Sequence, residues 1–292
     1  MMSSRPAALL RLFRPLQWSK NSFVLVGALF AHRWDADTLG AVALAFVAFC
    51  CMASAVYVFN DLHDLAADRA HPVKRLRPLA SGEVSTSLAR WCAPLLATVG
   101  LALAASSSLA TLAFVALYGL LNVAYSLKLK HVVIVDVFSI AAGFMLRILA
   151  GTLGVGIPPS SWLLVCGLML TLFLGVSKRS AEWHTREAGS EGTAREVLGT
   201  YHPAALAQFQ SITATATILT YALYTLNAEA MATHRGEHLV YTVPVVTFGI
   251  FRYMHLVQTG SGGEDPARDF LRDPSLLATV LLWLAATAWI VA

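Results

Sequence analysis

The chain has 292 residues, of which 57% are hydrophobic and only 13% are charged. A water-soluble domain carries about a quarter charged residues, so this composition excludes an ordinary soluble enzyme and indicates an integral membrane protein. The formal net charge is +4, but neither a nucleic-acid-binding motif nor an aromatic–basic pattern accompanies it. We therefore expect no nucleic acid partner.

Nine apolar segments follow one another along the chain and predict an all-α bundle of nine transmembrane helices. Their approximate bounds are 21–33, 39–59, 92–107, 110–127, 132–151, 161–177, 204–227, 239–257 and 274–292. Residues 1–292 are expected to form a single membrane-embedded domain. Residues 1–20 would be a cytoplasmic N-terminal tail, and residues 60–90 and 178–203 would be the main loops of the active site.

The distribution of positive charge predicts the orientation. With nine segments, 18 of the 21 Lys and Arg residues fall on the side of the N-terminus. Cytoplasmic loops are enriched in Lys and Arg, so this side is predicted to face the cytoplasm. Most acidic residues lie there too, whereas the opposite connections are short and nearly uncharged. The chemistry is therefore expected at a cytoplasmic-facing cavity.

An acidic motif lies where the second segment ends. It comprises Asn60, Asp61, Asp64 and Asp68. If the helix continues, the three aspartates share one face. Two carboxylates about 6 Å apart repel by roughly 3 kcal/mol at an effective dielectric constant of about 20, so the face requires a cation. Oxygen ligands suit Mg²⁺, which also binds substrate phosphates, and the motif therefore predicts a magnesium–diphosphate site.

Basic residues follow the acidic motif and recur after later segments. Lys74 and Arg77 could bind the remaining oxygens of a polyphosphate. After the fourth segment, the hydroxyl of Tyr125 and the ammonium of Lys128 are suitable phosphate donors. A basic belt flanking the membrane explains some of the same charges, and this alternative stays open.

A second polar cluster, Lys178, Arg179 and Glu182, follows the sixth segment. Its two cations favour direct contact with phosphate oxygens, and Glu182 could bind metal.

Lys20 precedes the first segment, where it could contact a lipid phosphate. Asp136 lies near the cytoplasmic end of the fifth predicted helix and could orient a basic ligand.

Arg147 lies in the same predicted helix as Asp136, roughly 16 Å further along the axis. It is interpreted either as a functional residue or as a structural brace.

The four cysteines (Cys50, Cys51, Cys92 and Cys166) lack metal-ligand spacing and are expected to be buried small hydrophobic residues.

The order of these motifs resembles the UbiA superfamily of intramembrane prenyltransferases. The resemblance rests on Asn-Asp-x-x-Asp-x-x-x-Asp after the second segment, on the nine segments and on the Tyr125–Lys130 motif. The finer pattern resembles the decaprenyl-phosphate phosphoribosyltransferase branch, from Arg14-Pro15-Leu16-Gln17-Trp18-Ser19-Lys20-Asn21 to Asp273-Pro274. Prenyl-diphosphate-using relatives have a second aspartate-rich motif after the sixth segment, where this chain has Lys178, Arg179 and Glu182. This departure suits a donor with more phosphate groups.

The resemblance implies transfer of 5-phosphoribose from phosphoribosyl diphosphate (PRPP) to a polyprenyl (decaprenyl) phosphate. Diphosphate would leave, Mg²⁺ would be the cofactor, and the product would feed polyprenyl-phosphate arabinose for cell-wall arabinan. The enzyme would lie in a bacterial inner membrane, in contact with membrane lipids, and a homo-oligomer is left open.

The residue roles that follow from the motifs are expectations. Catalytic roles fall to Asp61, Asp64, Lys74 and Tyr125. Substrate contacts fall to Lys20, Lys74, Arg77, Tyr125, Lys128, Asp136, Lys178 and Arg179. Metal ligands are expected among Asn60, Asp61, Asp64, Asp68 and Glu182.

Two alternatives use the same charges. One is a prenyltransferase that moves a prenyl group from prenyl diphosphate to an aromatic acceptor. The other is a transporter of an anionic metabolite, which the one-sided charge distribution disfavours because transport needs access from both faces.

Overall fold

The structure, a computed structural model, describes residues 5–187, 199–226, 237–263 and 265–291, and every regular element in these ranges is a helix. The α-helices, in chain order, are α1 (Arg5–Phe13), α2 (Val26–Phe30), α3 (Ala36–His63), α4 (Leu65–Ala70), α5 (Thr86–Ser107), α6 (Leu109–Leu127), α7 (Val135–Ala150), α8 (Ser161–Glu187), α9 (Pro203–Thr225), α10 (Val243–Gln258), α11 (Pro266–Arg272) and α12 (Pro274–Val291). 3-10 helices cover Pro15–Leu25, Lys74–Leu76, Leu129–His131, Leu153–Val155 and Glu237–Thr242.

Among the described residues, six helical segments are long and apolar enough to cross a membrane. They are Ala36–His63, Thr86–Ser107, Leu109–Leu127, Val135–Val155, Ser161–Thr185 and His238–Gln258. The chain is therefore an all-helical, multi-pass membrane protein.

The other three predicted segments differ from simple membrane spans. Residues 21–33 begin as a 3-10 helix and continue only into the five-residue α2. Helix α9 is long, but serine, threonine and glutamine interrupt its apolar sequence. Helix α12 is apolar but only 18 residues long. The count of nine transmembrane helices accordingly stays a prediction.

The chain divides into two compact units, and the first comprises Met1–Val26, Asp35–Leu129 and Leu146–Ile157. Helix α3 packs along α5 in this unit. The N-terminal residues include α1, whose Ala8 and Leu12 are buried in a core cluster. Its other buried members are Val58, Leu79, Val84 and Ala89. This packing fixes α1 beside the end of α3.

Arg147 lies in the interior of the first unit. Its Nε donates to Asn21 Oδ1 at 2.7 Å, and its Nη2 donates to the Tyr118 hydroxyl at 3.0 Å. The guanidinium also lies 4.4 Å from the centroid of the Tyr118 ring. These contacts support the interpretation of Arg147 as a structural brace between α6, α7 and the first 3-10 helix.

Gly151 marks the closest backbone approach in the same region. A Cβ atom at this position would lie 1.8 Å from the carbonyl oxygen of Val24, a distance that no side chain tolerates. Glycine is therefore required here because two backbone segments meet without space for a side chain.

The second unit comprises Gly27–Trp34, Lys130–Met145 and Pro158–Ala292. Helix α8 packs along α9. A buried apolar cluster joins these helices to the start of α7, and its members are Val137, Ala141, Leu172, Val176, Tyr201 and Leu206. This packing brings Arg179 of α8 next to Asp136 of α7.

Candidate active site

The acidic motif lies at a break between two helices. Helix α3 ends at His63, Asp64 has non-helical dihedral angles (φ −91°, ψ 11°), and α4 begins at Leu65. The N–H of Asp64 still donates to the Asn60 carbonyl at 2.9 Å, and the N–H of Asp68 donates to the Asp64 carbonyl at 2.8 Å. The prediction of one uninterrupted helical face is therefore wrong at Asp64.

The break separates the three aspartates into a pair and a single residue. Asp61 and Asp68, called the aspartate pair below, are 2% and 3% exposed. Asp64 is more exposed, and its Oδ1 lies 2.9 Å from Nδ1 of the adjacent His63. Asn60 is half-buried one position before the pair begins.

Two arginines neutralise the aspartate pair. Nη1 of Arg77 lies 3.1 Å from Asp61 Oδ1 and 2.6 Å from Asp68 Oδ2, so a single guanidinium bridges both carboxylates. Arg14 forms a second ion pair with Asp61 Oδ1, and its guanidinium lies 4.8 Å from the centroid of the Tyr57 ring. A buried carboxylate needs such a countercharge because desolvation disfavours its ionised form. The arginines thus supply the positive charge that the spacing of the acids requires.

Arg14 occupies an unusual backbone conformation. Its φ and ψ are 54° and 59°, in the left-handed region, between the end of α1 and Pro15. This region costs an L-residue roughly 1–2 kcal/mol, so contacts of the residue must offset the cost. The Arg14 carbonyl accepts from Gln17 N–H at 2.9 Å, and the side chain holds Asp61. The sequence analysis gave Arg14 no role. It could have been suspected only because a buried carboxylate requires nearby positive charge, and Arg14 supplies part of it for Asp61.

The basic loop after α4 is ordered around His71. Its Nδ1 accepts hydrogen bonds from the backbone N–H groups of Val73 and Lys74, both at 3.1 Å. A ring nitrogen that accepts must be unprotonated. Burial, followed by the nearby Lys74 charge, lowers the pKa of His71 accordingly. A neutral imidazole therefore fixes the turn from which Lys74 and Arg77 extend.

The other predicted site residues of the first unit lie near helix ends. Tyr125 is half-buried in the last turn of α6, and Lys128 is exposed immediately after this helix. The ammonium group of Lys20 donates to Gln17 Oε1 in the 3-10 helix after Arg14.

The second cluster forms a buried charge network. Asp136 and Arg179 are both fully buried, with 2.6 Å between Arg179 Nε and Asp136 Oδ2. Arg179 also pairs with Glu182, whose side chain is 20% exposed. Lys178, the adjacent residue, is half-buried. The structure therefore places Arg179 against two carboxylates, inside the fold.

Tyr201, which sequence reasoning missed, completes this network. Its hydroxyl donates to Asp136 Oδ1 at 2.7 Å and accepts from the N–H of Ile134 at 2.7 Å. Burial first, and then the hydrogen bond to Asp136, raise the pKa of Tyr201. Ile134 has a positive φ of 70°, and the tyrosine satisfies its N–H just before α7. Nothing in the sequence around Tyr201 indicates this partner, because it is 65 residues away.

The described residues contain no group of three or more His, Cys, Asp or Glu side chains arranged to hold a metal ion. The aspartate pair offers two carboxylates bridged by Arg77. Two carboxylates suffice for Mg²⁺ where a substrate supplies phosphate oxygens and water completes the octahedron. The donor set therefore fits a hard cation that arrives with a phosphate ligand.

Comparison with known proteins agrees with this architecture. Residues 21–273 match the model of the UbiA prenyltransferase family. The chain is 34% identical over 281 residues to a decaprenyl-phosphate phosphoribosyltransferase of Corynebacterium glutamicum, covering 94% of this chain and 84% of that protein. It is also 34% identical over 291 residues to the protein of that name from Mycobacterium tuberculosis, covering 98% of this chain and 95% of that protein.

Solved structures have the same fold. A UbiA homolog from Archaeoglobus fulgidus bound to GPP and Mg²⁺ superposes with a TM-score of 0.71 at 18% identity, covering 97% of this chain and 99% of that one. A digeranylgeranylglyceryl phosphate synthase superposes with a TM-score of 0.69 at 16% identity, covering 98% of both chains. The family match, the relatives over nearly the whole length and the shared fold agree: this chain belongs to the UbiA prenyltransferase family of membrane transferases.

Proposed function

We propose that the protein transfers 5-phosphoribose from PRPP to a polyprenyl phosphate and releases diphosphate. The observation that carries the proposal is the similarity, over 94–98% of the chain, to proteins named decaprenyl-phosphate phosphoribosyltransferase. The buried aspartate pair and the basic loop beside it supply the groups that such a reaction needs. The product would serve polyprenyl-phosphate arabinose formation for cell-wall arabinan.

Asn60, Asp61, Asp64 and Asp68 are the proposed ligands of Mg²⁺, which when bound would neutralise the charge that develops on the leaving diphosphate. The pair is already held in place by α3, α4 and the loop through Arg77. Preorganised carboxylates lower the cost of positioning the donor.

The first unit also offers the proposed phosphate-binding residues. Lys74 and Arg77 lie in the loop beside the aspartate pair, and Tyr125 and Lys128 lie at the end of α6. Lys20 is proposed to contact the lipid phosphate. Catalysis would consist of positioning and charge stabilisation by Asp61, Asp64, Lys74 and Tyr125. A polyprenyl phosphate is anionic at neutral pH, so its oxygen can attack the anomeric carbon without a strong general base.

The second cluster is proposed to contribute to donor recognition through Lys178 and Glu182. Arg179 is buried against Asp136 and Glu182. Its proposed role is therefore to hold these carboxylates, so that Asp136 can orient ribose hydroxyls and Glu182 can assist in binding the metal.

We further propose nine transmembrane helices, an N-terminus in the cytoplasm and a site that opens to the cytoplasm of a bacterial inner membrane.

The proposal is tested with detergent-purified protein that is given labelled PRPP and polyprenyl phosphate. A labelled lipid should form with Mg²⁺ and should fail to form after complete chelation. In parallel, the protein is given GPP with an aromatic acid, because the family takes its name from prenyl transfer. Prenylated aromatic product without phosphoribosyl lipid would replace the proposed function with the alternative one.

Donor recognition has a separate test in Lys178→Ala, with Arg272→Ala, in the short α11, as the matched control. The Lys178 variant should raise the apparent KM for PRPP at least several-fold, and the control should not. Equal KM values for both variants would remove Lys178 from the proposed site.

A further inference from the structure

The aspartate pair carries no net charge once its arginines are counted. Asp61 and Asp68 contribute two negative charges, and Arg14 and Arg77 contribute two positive charges within ion-pair distance. A divalent metal that arrives alone would bring two further positive charges next to two guanidinium groups. At these short distances and in a partly buried setting, like charges repel strongly. Binding of metal alone is therefore disfavoured.

A diphosphate changes this balance. It brings several negative charges and many acceptor oxygens, which can bind the metal and both guanidinium groups at once. We infer that Arg14 and Arg77 act as resident countercharges on the aspartate pair, so that this chain takes up its divalent metal only together with a diphosphate-bearing ligand. The inference rests on the metal–diphosphate site of the proposed function and adds that the metal binds there only together with the diphosphate.

Arg14 is the arginine whose replacement should change the coupling between metal binding and diphosphate binding. Arg77 bridges both acids from the loop that also carries Lys74, whereas Arg14 reaches only Asp61 and comes from a different segment of the chain. An open pocket of about 360 Å³, lined in part by Leu10 and Gln17, lies beside Arg14. The aromatic face of Tyr57 offers the cation a contact that does not depend on Asp61.

The test measures metal binding directly. Full-length protein in detergent is equilibrated by dialysis against Mn²⁺, a spectroscopically visible substitute for Mg²⁺, with and without inorganic pyrophosphate. The wild-type protein should retain at least tenfold more Mn²⁺ when pyrophosphate is present, at equal free Mn²⁺. Arg14→Gln should bind Mn²⁺ alone at least tenfold more tightly than wild type, which corresponds to about 1.4 kcal/mol.

Two variants serve as controls. Arg75→Gln removes an exposed positive charge from the same loop as Arg77, and it should bind Mn²⁺ as wild type does. Arg14→Lys keeps the charge and should retain the dependence on pyrophosphate. Because loss of Arg14 could destabilise the fold, melting temperatures are measured as well: Mn²⁺ alone should raise that of Arg14→Gln and leave that of wild type unchanged.

The inference is overturned if wild-type protein binds Mn²⁺ equally well with and without pyrophosphate, or if Arg14→Gln and Arg75→Gln bind Mn²⁺ alone alike. These outcomes are independent of the transfer reaction. Absence of phosphoribosyl transfer with intact pyrophosphate-dependent binding would refute the proposed donor and leave the coupling in place. Normal transfer with unchanged binding by Arg14→Gln would refute the coupling alone.

Discussion

The geometry of the buried ion pair between Asp136 and Arg179 predicts how much stability is lost when one partner is removed. Both side chains are fully buried and are joined at 2.6 Å, and Asp136 Oδ1 also accepts from Tyr201. Arg179→Met leaves a buried carboxylate without its cation, and removal of one partner of such a pair costs about 3–5 kcal/mol. Asp136→Leu should cost less, about 1–3 kcal/mol, because Glu182 still pairs with the guanidinium.

The double variant distinguishes a locked pair from two independent residues. With both charges replaced by apolar groups, the remaining loss should be about 1–2 kcal/mol, from the hydroxyl of Tyr201 that loses its acceptor and from Glu182 that loses its ion pair. The assay is reversible unfolding in mixed micelles, followed by tryptophan fluorescence. Lys178→Met, a half-buried neighbour, is the matched control and should cost about 1 kcal/mol or less. Additive losses in the double variant would refute the reasoning.

Three further predictions concern packing, the second cluster and topology. Gly151→Ala should destabilise the protein by more than about 3 kcal/mol, whereas Gly40→Ala, in an open helical position, should be neutral or stabilising, as judged by thermal unfolding. Tyr201→Phe removes two buried hydrogen bonds and should cost about 2 kcal/mol in the same measurement. Single cysteines at Ser81 and Ser106, near opposite ends of α5 in a background without native cysteines, should differ in intact bacteria: an impermeant thiol reagent should label position 106 only, and labelling of position 81 alone would mean an inverted topology.

The sequence predicted the class of fold and the location of the acidic motif because both depend on local patterns. Long apolar segments form helices in a membrane because the backbone must satisfy its own hydrogen bonds there. The closely spaced acidic residues from Asn60 to Asp68 require a cation whatever the tertiary fold is. The identity of that cation in the structure could not be predicted. Arg14 is 47 residues from Asp61, and only the packing of α1 against the end of α3 brings them together.

The different contacts of Lys178 and Arg179 in the second cluster could not be predicted from the sequence either. Lys178 and Arg179 have equal charge and adjacent positions, so the pattern predicts the same role for both. The helix turns one side chain into the interior toward Asp136 and leaves the other half-buried. Which cation contacts a buried carboxylate depends on the angular position of α8 against α7, and a pattern of charges along the chain does not specify this angle.

The central claim is most directly tested by measuring lipid product and diphosphate in one reaction. Purified protein is incubated with carbon-13-labelled PRPP, polyprenyl phosphate and Mg²⁺, and the lipid extract is analysed by mass spectrometry while released diphosphate is quantified. The account predicts one diphosphate for each lipid that gains a labelled phosphoribosyl group, and neither product with Asp61→Asn. Diphosphate release without labelled lipid, or labelled lipid at wild-type rates from Asp61→Asn, would contradict it.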